Sequence, residues 1–578
     1  MTSTLTPRQQ ALALAAITLA VFWPTLSAKF VYDARLQIVT GDFIHDPWNW
    51  VPVLSGQVLA MDVLDFNRPV QLASLMLDAA VWGKDAFGYH LTSVLLHAVN
   101  VVMVWGVMGG AWQPGRLPHR EAGQARQLPR MVAALLFAVH PVVTEAVCEP
   151  TFREDLLVAA CTLGALLLAM RHDPATPNGD RWRAIGCAGL CFLAVASKES
   201  GIAAFGVLAV YWWVQRSILS AHASGLSGHP GILSAYASGF RGHPLGSRLG
   251  LPGNSAHASG FRNAPPTEAR GVSRRDGSSF WMLAVGGGAA AAVAFLAARF
   301  LLEPAQSAIF EAKPQYPGGS FLAAMAIEPR ILALYAQLLV LPVNLCADYG
   351  LSSVRHLPLP AALVILAGLV AAAAFAIRAD RRMALACAII VLPLIPVSNL
   401  FPIYRAAADR YLYLPMAGVA LGLGWLLDGP WLAARPRLRE KAMIFCMAAV
   451  VLLGMACVER QKVWATPLAL WEDTFRKNPV AYTAASGLGE SLREVGRLPE
   501  AEQATREAIR LSDGKRGDPW LTLALILDAQ GREAEAFEAA GKALEVQPSL
   551  ADPEARVRAL AMERQVAEEW GRLLGRRK

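Results

Sequence analysis

Apolar runs of about 17–20 residues, the length that crosses a bilayer core, recur along this 578-residue chain. Inside hydrocarbon a backbone must satisfy its own polar groups, so runs of this kind fold as helices and dictate an all-α, polytopic membrane architecture. The candidate spans are 11–28, 90–112, 130–148, 156–171, 183–197, 201–215, 280–301, 359–378, 382–400, 411–428 and 441–458. Composition agrees, because only 17% of residues are charged, against roughly 25% in soluble domains. The first run resembles a signal sequence ending in "LSA", but the many spans behind it favour an uncleaved anchor.

The net charge of +8 does not indicate nucleic-acid binding, since the cations gather between apolar runs. Arg116, Arg120, Arg126 and Arg130 share one connection, and Arg171, Arg181 and Arg183 another. Arg378, Arg381 and Arg382 form a third group, and Arg435, Arg437, Arg439 and Lys441 a fourth. With eleven spans and a cytoplasmic N-terminus, all four groups lie inside, as the positive-inside rule expects. Segment 330–347 could be a twelfth span. That would turn the third group outward, so it is read as an interfacial or re-entrant helix within an external loop, 302–358.

The expected organisation is a membrane core in two halves, 1–215 (with an external loop at 29–89) and 280–458, and a C-terminal domain at 459–578. Between the halves, residues 216–279 repeat "SAHASG" and "SAYASG" among Gly, Pro and His, a composition too poor in large apolar groups to bury a core. This insert is read as disordered and cytoplasmic. The C-terminal domain carries two near-copies of one pattern. Gly496, Ala501 and Ala508 correspond to Gly531, Ala536 and Ala543, with Pro548 closing the second copy. Small residues at such spacing let the helices of a hairpin touch, the tetratricopeptide pattern, followed here by a capping helix at about 552–575. The concave face of such a stack commonly receives a peptide.

On this topology the outer face collects a set of polar residues. Asp33 follows the first span and Arg68 the first external loop. The turn "FAVHPVVTEAVCEPTFREDLL" brings His140, Glu145, Arg153, Glu154 and Asp155. "ASKESG" adds Lys198 and Glu199, "CADYG" adds Asp348 and Tyr349, and "FPIYRAAADRYLYLP" adds Arg405, Arg410 and Tyr411. Any one of these is ordinarily a solvated or locally paired helix-end residue. Yet Arg153, Lys198 and Arg410 run against the positive-inside rule, and cations converging at a membrane surface suit an anion such as a lipid phosphate. The eight cysteines form no CxxC pair, and no spacing marks a metal site or calls for a cofactor.

The fragments "FVYDARLQI", "RPVQLASLMLDAAVWGKDAFGYHLTSVLLHAVN", "SKESG", "LPVNLCADYG" and "ADRYLYLP", taken in this order, resemble the transmembrane and tetratricopeptide-repeat O-mannosyltransferases that modify cadherins. The resemblance spans nearly the whole chain except 216–279. It implies a glycosyltransferase of the C-type (GT-C) superfamily that moves a sugar from a polyprenyl-phosphate donor to a hydroxyl outside the cytoplasm. Asp33 matches the first-loop catalytic acid. Where relatives often carry a second acid directly after it, this chain has Ala34.

Chemistry fits the comparison, since a carboxylate can take the attacking hydroxyl's proton while displacement inverts the anomeric carbon. Arg410, Arg153 and Lys198 are the candidates for holding the leaving phosphate. Arg68, His140, Glu145, Glu154, Asp155, Glu199, Asp348, Tyr349 and Tyr411 are the candidates for binding sugar or acceptor, or for orienting the cations. The expected setting is a bacterial inner membrane with the C-terminal domain in the periplasm and a periplasmic protein or peptide as acceptor. Transfer to lipid A or another glycan, a flippase for polyprenyl-linked sugars, and a repeat-bearing scaffold are the alternatives.

Overall fold

The computed structural model describes residues 5–61, 63–110, 120–172, 177–223, 276–302, 315–350, 354, 357–558 and 562–577. Among these every regular element is helical. Most of the expected insert, 224–275, lies outside the described residues. Each of the eleven expected apolar segments falls on helix. By length and composition, six described helices could cross a membrane, or seven if one bent pair counts as a single span. The chain is therefore a multi-pass membrane protein.

The local rules behind these helices are simple. Helix α1 (Pro7–Val21) begins with Pro at its first position and a reciprocal cap between Thr6 and Gln9, which satisfies donors that a helix start otherwise leaves orphaned. After a shorter helix, α2 (Pro69–Trp82), comes α3 (Ala86–Gly109), capped by Asp85, whose carboxylate accepts the Phe87 N–H. Next is α4 (Arg120–Val139), which meets the following turn, α5 (Thr144–Cys148), at a 48° bend. Pro141 has no N–H to continue the helix, and His140 Nδ1 accepts the Val142 N–H at 3.3 Å to start the new turn.

Helices α6 (Arg153–Ala169), α7 (Pro177–Ser197) and α8 (Ala203–Ala223) complete the first half. The second half has α9 (Gly288–Leu302), α10 (Phe321–Val340), α11 (Leu359–Ala379), α12 (Arg382–Val391), α13 (Tyr413–Asp428) and α14 (Pro436–Val463). One continuous apolar core runs through α1, α3 to α8 and α13, with Phe22, Phe137, Tyr413 and Trp425 fully buried.

Helix α10 covers most of the segment expected to be interfacial. At 20 residues it is long and apolar enough to cross a bilayer. It packs against α11, with Arg330 Nε donating to the Leu357 carbonyl at 2.9 Å, and its other long-range hydrogen bonds reach the connection between α12 and α13. Just before the helix, Tyr316 Oη donates to the Leu400 carbonyl at 3.3 Å. Within it, Asn399 Nδ2 donates to Glu328 at 2.8 Å and the Ala408 N–H to Tyr335 Oη at 3.2 Å. Beyond it, Tyr349 Oη donates to Asp409 at 2.5 Å. The middle of the helix, from Glu328 to Tyr335, thus lies beside that loop.

The C-terminal region stacks α15 (Pro467–Lys477), α16 (Tyr482–Glu494), α17 (Leu498–Leu511), α18 (Gly517–Ala529), α19 (Glu533–Val546) and a last helix, α20 (Arg564–Arg577). The two expected hairpins are α16–α17 and α18–α19. Gly496 (φ 78°) and Gly531 (φ 75°) occupy the left-handed position at their turns, which an L side chain takes only under strain. Ala501, Ala508, Ala536 and Ala543 are wholly buried between the paired helices. The expected closing helix, about 552–575, is divided into a short helix, Pro553–Arg558, and α20.

Candidate active site

The site is built around the turn that follows the first membrane helix. Tyr32 holds φ at 51°, an uncommon conformation for a non-glycine residue, and one that persists only where surrounding structure enforces it. Here the enforcement is visible. The Tyr32 ring stacks on Trp471 of α15 (centroids 5.5 Å apart) and meets Phe152 edge-on at 5.6 Å. Two residues on, the Ala34 N–H donates to Glu149 Oε1 at 3.1 Å. Asp33, between these anchors, points into a cavity of about 380 Å³ whose opposite wall is the repeat domain. It makes no hydrogen bond or ion pair with any described residue.

Asp33 is open to the cavity and enclosed by protein on its other sides. That enclosure raises its carboxyl above the ordinary aspartate range, against the pull of Arg410 and Arg405 and, more weakly, Arg68. The result is an unpaired carboxylate with three guanidinium groups in electrostatic reach.

The second wall of the site is one short stretch, residues 145–155. Glu145 accepts from both the side chain and the backbone N–H of Arg410. Phe152 lies under the Arg410 guanidinium at 4.0 Å while also touching Tyr32. Glu154 accepts from Arg68 at 3.4 Å and lies 3.6 Å from Lys198, whose Nζ is 2.5 Å from Asp155. Arg68 also pairs with Asp65 at 2.8 Å and with Glu199 at 3.7 Å. Glu199 in turn meets Arg299 at 2.7 Å, and Arg68 and Arg299 together hold its carboxyl down to about 2, against burial. Across the cavity Arg405 pairs with Asp348 at 2.7 Å and lies over the Tyr32 ring at 5.6 Å.

Most of the residues singled out in the sequence are gathered here, but not all face Asp33. Arg153 is completely buried, and its guanidinium is consumed by Asp78 at 2.6 Å, Tyr89 O at 2.8 Å, Ser74 at 2.9 Å and Ser93 at 3.3 Å. It pins α6 to α2 and α3, with no face left for an anion. Lys198 is likewise buried against Asp155, under the Tyr411 ring. His140 is buried as the cap of its turn. Tyr349 hydrogen-bonds Asp409, and that buried pair continues through Arg460 at 3.7 Å to Asp473 of the repeat domain. Of the candidate residues' neighbours, Arg405 is a partly exposed cation on the cavity wall, joined there by Arg35 and Arg516, and Arg68 is partly exposed outside that wall.

Two participants have no distinct signal in the sequence: Glu149 sits within a longer motif, and Trp471 belongs to the C-terminal region. Arg405 is visible there as a polar residue of the outer face, without a role. Their roles follow from the chain's path in space. Among the described residues no three His, Cys, Asp or Glu side chains gather in a metal-holding group.

No family model matches the chain. Among known proteins it is similar to Protein O-mannosyl-transferase Tmtc3 of Drosophila melanogaster, 25% identical over 482 residues, which cover 77% of this chain and 48% of that protein. It is similar to Protein O-mannosyl-transferase TMTC1 of Mus musculus, 24% identical, covering 88% of this chain and 58% of the relative. A third, Protein O-mannosyl-transferase TMTC4 of Mus musculus, is 25% identical, covering 86% and 65%. The chain thus spans about half to two-thirds of the length of these relatives. Among solved structures, ArnT from Cupriavidus metallidurans bound to undecaprenyl phosphate aligns over 98% of this chain and 88% of its own, at 14% identity and a TM-score of 0.37.

Proposed function

We propose that this chain, a relative of protein O-mannosyl-transferases, is a membrane glycosyltransferase that passes a sugar from a polyprenyl-phosphate donor to a hydroxyl of a polypeptide. The observation that carries the reading is Asp33, an unpaired carboxylate in a cavity walled on one side by the membrane core and on the other by the repeats. The acceptor oxygen attacks the anomeric carbon, a new C–O bond forms, and the bond to the lipid phosphate breaks with inversion. The hydroxyl proton passes to Asp33, and the phosphate leaves as an anion without needing a protein acid. Arg410, Arg405 and Arg68 are assigned to its developing charge, each worth on the order of 10²–10³ in rate by analogy with oxyanion-hole donors. Arg153 and Lys198 support this arrangement from behind.

The polar residues cluster at one level of the structure instead of lining a path through it, which favours transfer over flipping. The positive-inside pattern of the sequence puts this level outside the cytoplasm, as for a bacterial inner-membrane enzyme with its repeats in the periplasm. In that reading α10, whose middle lies beside the loop between α12 and α13, follows the outer surface. Mass spectrometry of exported glycoproteins and lipid A tests the proposal in cells carrying wild type, Asp33→Asn or a deletion. A sugar mass on proteins that vanishes equally in both mutants supports it. A modification that survives Asp33→Asn but not the deletion overturns Asp33 as the base, and a mass lost from lipid A alone overturns the polypeptide acceptor.

A further inference from the structure

The cavity contains more charge than the transfer step uses, and the surplus has a sign. Besides Asp33 its walls carry three arginines and three further acids: Arg35, Arg405, Arg516, Glu490, Asp518 and Glu563. Every arginine is already matched. Arg35, two residues beyond Asp33, pairs with Glu494 at 2.5 Å and with Glu563 at 2.8 Å. Arg405 pairs with Asp348 at 2.7 Å, and Arg516 with Asp518 at 3.4 Å. These pairs leave two carboxylates without a hydrogen bond or ion pair to any described residue, Asp33 and Glu490.

Glu490 lies on α16, on the face that carries Thr483, Ser486 and Gly487 along the cavity wall. It is half-buried, its oxygens are open to the cavity, and Glu494 and Glu563 stand close by. Arg35 and Arg493 also reach it, but each is paired elsewhere, and a partly desolvated carboxylate without a cation of its own gains by binding one. Taking the cavity as the acceptor site of the proposed transferase, we infer that the acceptor is a polypeptide carrying a lysine or arginine near the modified hydroxyl, and that Glu490 binds that cation. Asp33 receives the hydroxyl and Glu490 the charge. A cavity of about 380 Å³ is on the order of 10 Å across. At about 3.3 Å per extended residue, that places the basic residue within about four positions of the hydroxyl.

The local charges add a pH dependence. Burial and the neighbouring Glu563 and Glu494 push Glu490 up to about 7, against Arg35 and Arg493. Glu490 is therefore ionised above that value and loses its hold on a cation as pH falls below it. Arg35 comes from the first loop and Glu563 from the last-helix region, while Arg493 and Glu494 share α16 with Glu490.

The test uses the full-length protein in lipid nanodiscs and fluorescein-labelled nine-residue peptides with a central threonine. A single lysine, glutamate or norleucine is stepped through the flanking positions. Equilibrium binding is measured without donor, by polarisation, at pH about 8 and about 5.5. The expected result is a position at which lysine binds about tenfold more tightly than glutamate, a ratio that shrinks at the lower pH. Glu490→Gln reduces the ratio to about twofold or less, and Glu490→Lys inverts it. Indifference to charge in the wild type, no peptide binding at all, or a preference that survives Glu490→Lys each overturns the inference. Transfer assays with Asp33→Asn separate this from the proposed chemistry: if that variant still transfers sugar, Asp33 is not the base, and the binding result stands on its own.

Discussion

At the scale of single residues the decisive contrast is between charges that are consumed and charges that are free. Asp33→Asn keeps the shape of the side chain but removes the proton acceptor. It is expected to lower the turnover rate by at least about 10²-fold while leaving donor affinity within about twofold. Because enclosure raises the Asp33 carboxyl, the acid limb of the rate profile should lie above the ordinary aspartate value. The base is lost as pH falls through that raised value, and removing the Arg405 charge with Arg405→Gln should move the limb higher still. Rate measurements from pH about 4 to 8 in both proteins check this. Glu149 is buried, and burial holds its carboxyl well up, so Gln should replace it with little loss. Glu149→Ala frees the Ala34 N–H and should lower turnover about tenfold, the equivalent of about one buried hydrogen bond. Asp33 itself was legible in the sequence as an acid behind a membrane helix. Glu149, 115 residues beyond Ala34 and touching the same turn, was not, because no local pattern records a contact at that separation.

At the scale of elements, the membrane helices and repeat hairpins could be read from apolar length and from glycine and alanine spacing, since both signals are local. What those signals could not reveal was orientation. A stretch such as 321–340 satisfies the length and hydropathy of a span, and no local signal records that its middle packs beside the loop between α12 and α13. Arg153 shows the same limit, because its sequence position suited an anion ligand and its surroundings make it a strut. Arg153→Met leaves Asp78 buried and unpaired, so a loss of about 3–5 kcal/mol in stability is expected, seen as a lowered thermal midpoint. Helix α16 supplies another prediction. A Cβ on Gly487 would come within 2.4 Å of the Trp471 ring, which is itself stacked on Tyr32. Gly487→Ala should push that ring away, release the turn bearing Asp33 and reduce turnover more than stability. Trp471 fluorescence and rate, measured together, check it.

At the scale of the whole molecule, the membrane core and the repeats are joined by buried charges as well as by chain. Arg460, near the end of α14, pairs with Asp473 of α15 at 2.8 Å and lies 3.7 Å from Asp409, which adjoins Arg410. Arg460→Leu takes the paired cation from Asp409 while Asp473 keeps Arg476 and Lys477, and about 3 kcal/mol of the docking should be lost. Hydrogen exchange is expected to rise across 467–494 while the hairpin 517–546, which has its own core, stays protected. This joint makes the distance between the two unpaired carboxylates a fixed length. An enzyme built this way works as a caliper, with one jaw reading a charge and the other marking a hydroxyl at a set separation. In the proposed cavity each transfer would set one hydroxyl at Asp33 for each cation at Glu490. The marks left on a polypeptide would then be solitary and evenly offset from its basic residues, a punctuation of the chain instead of a coating.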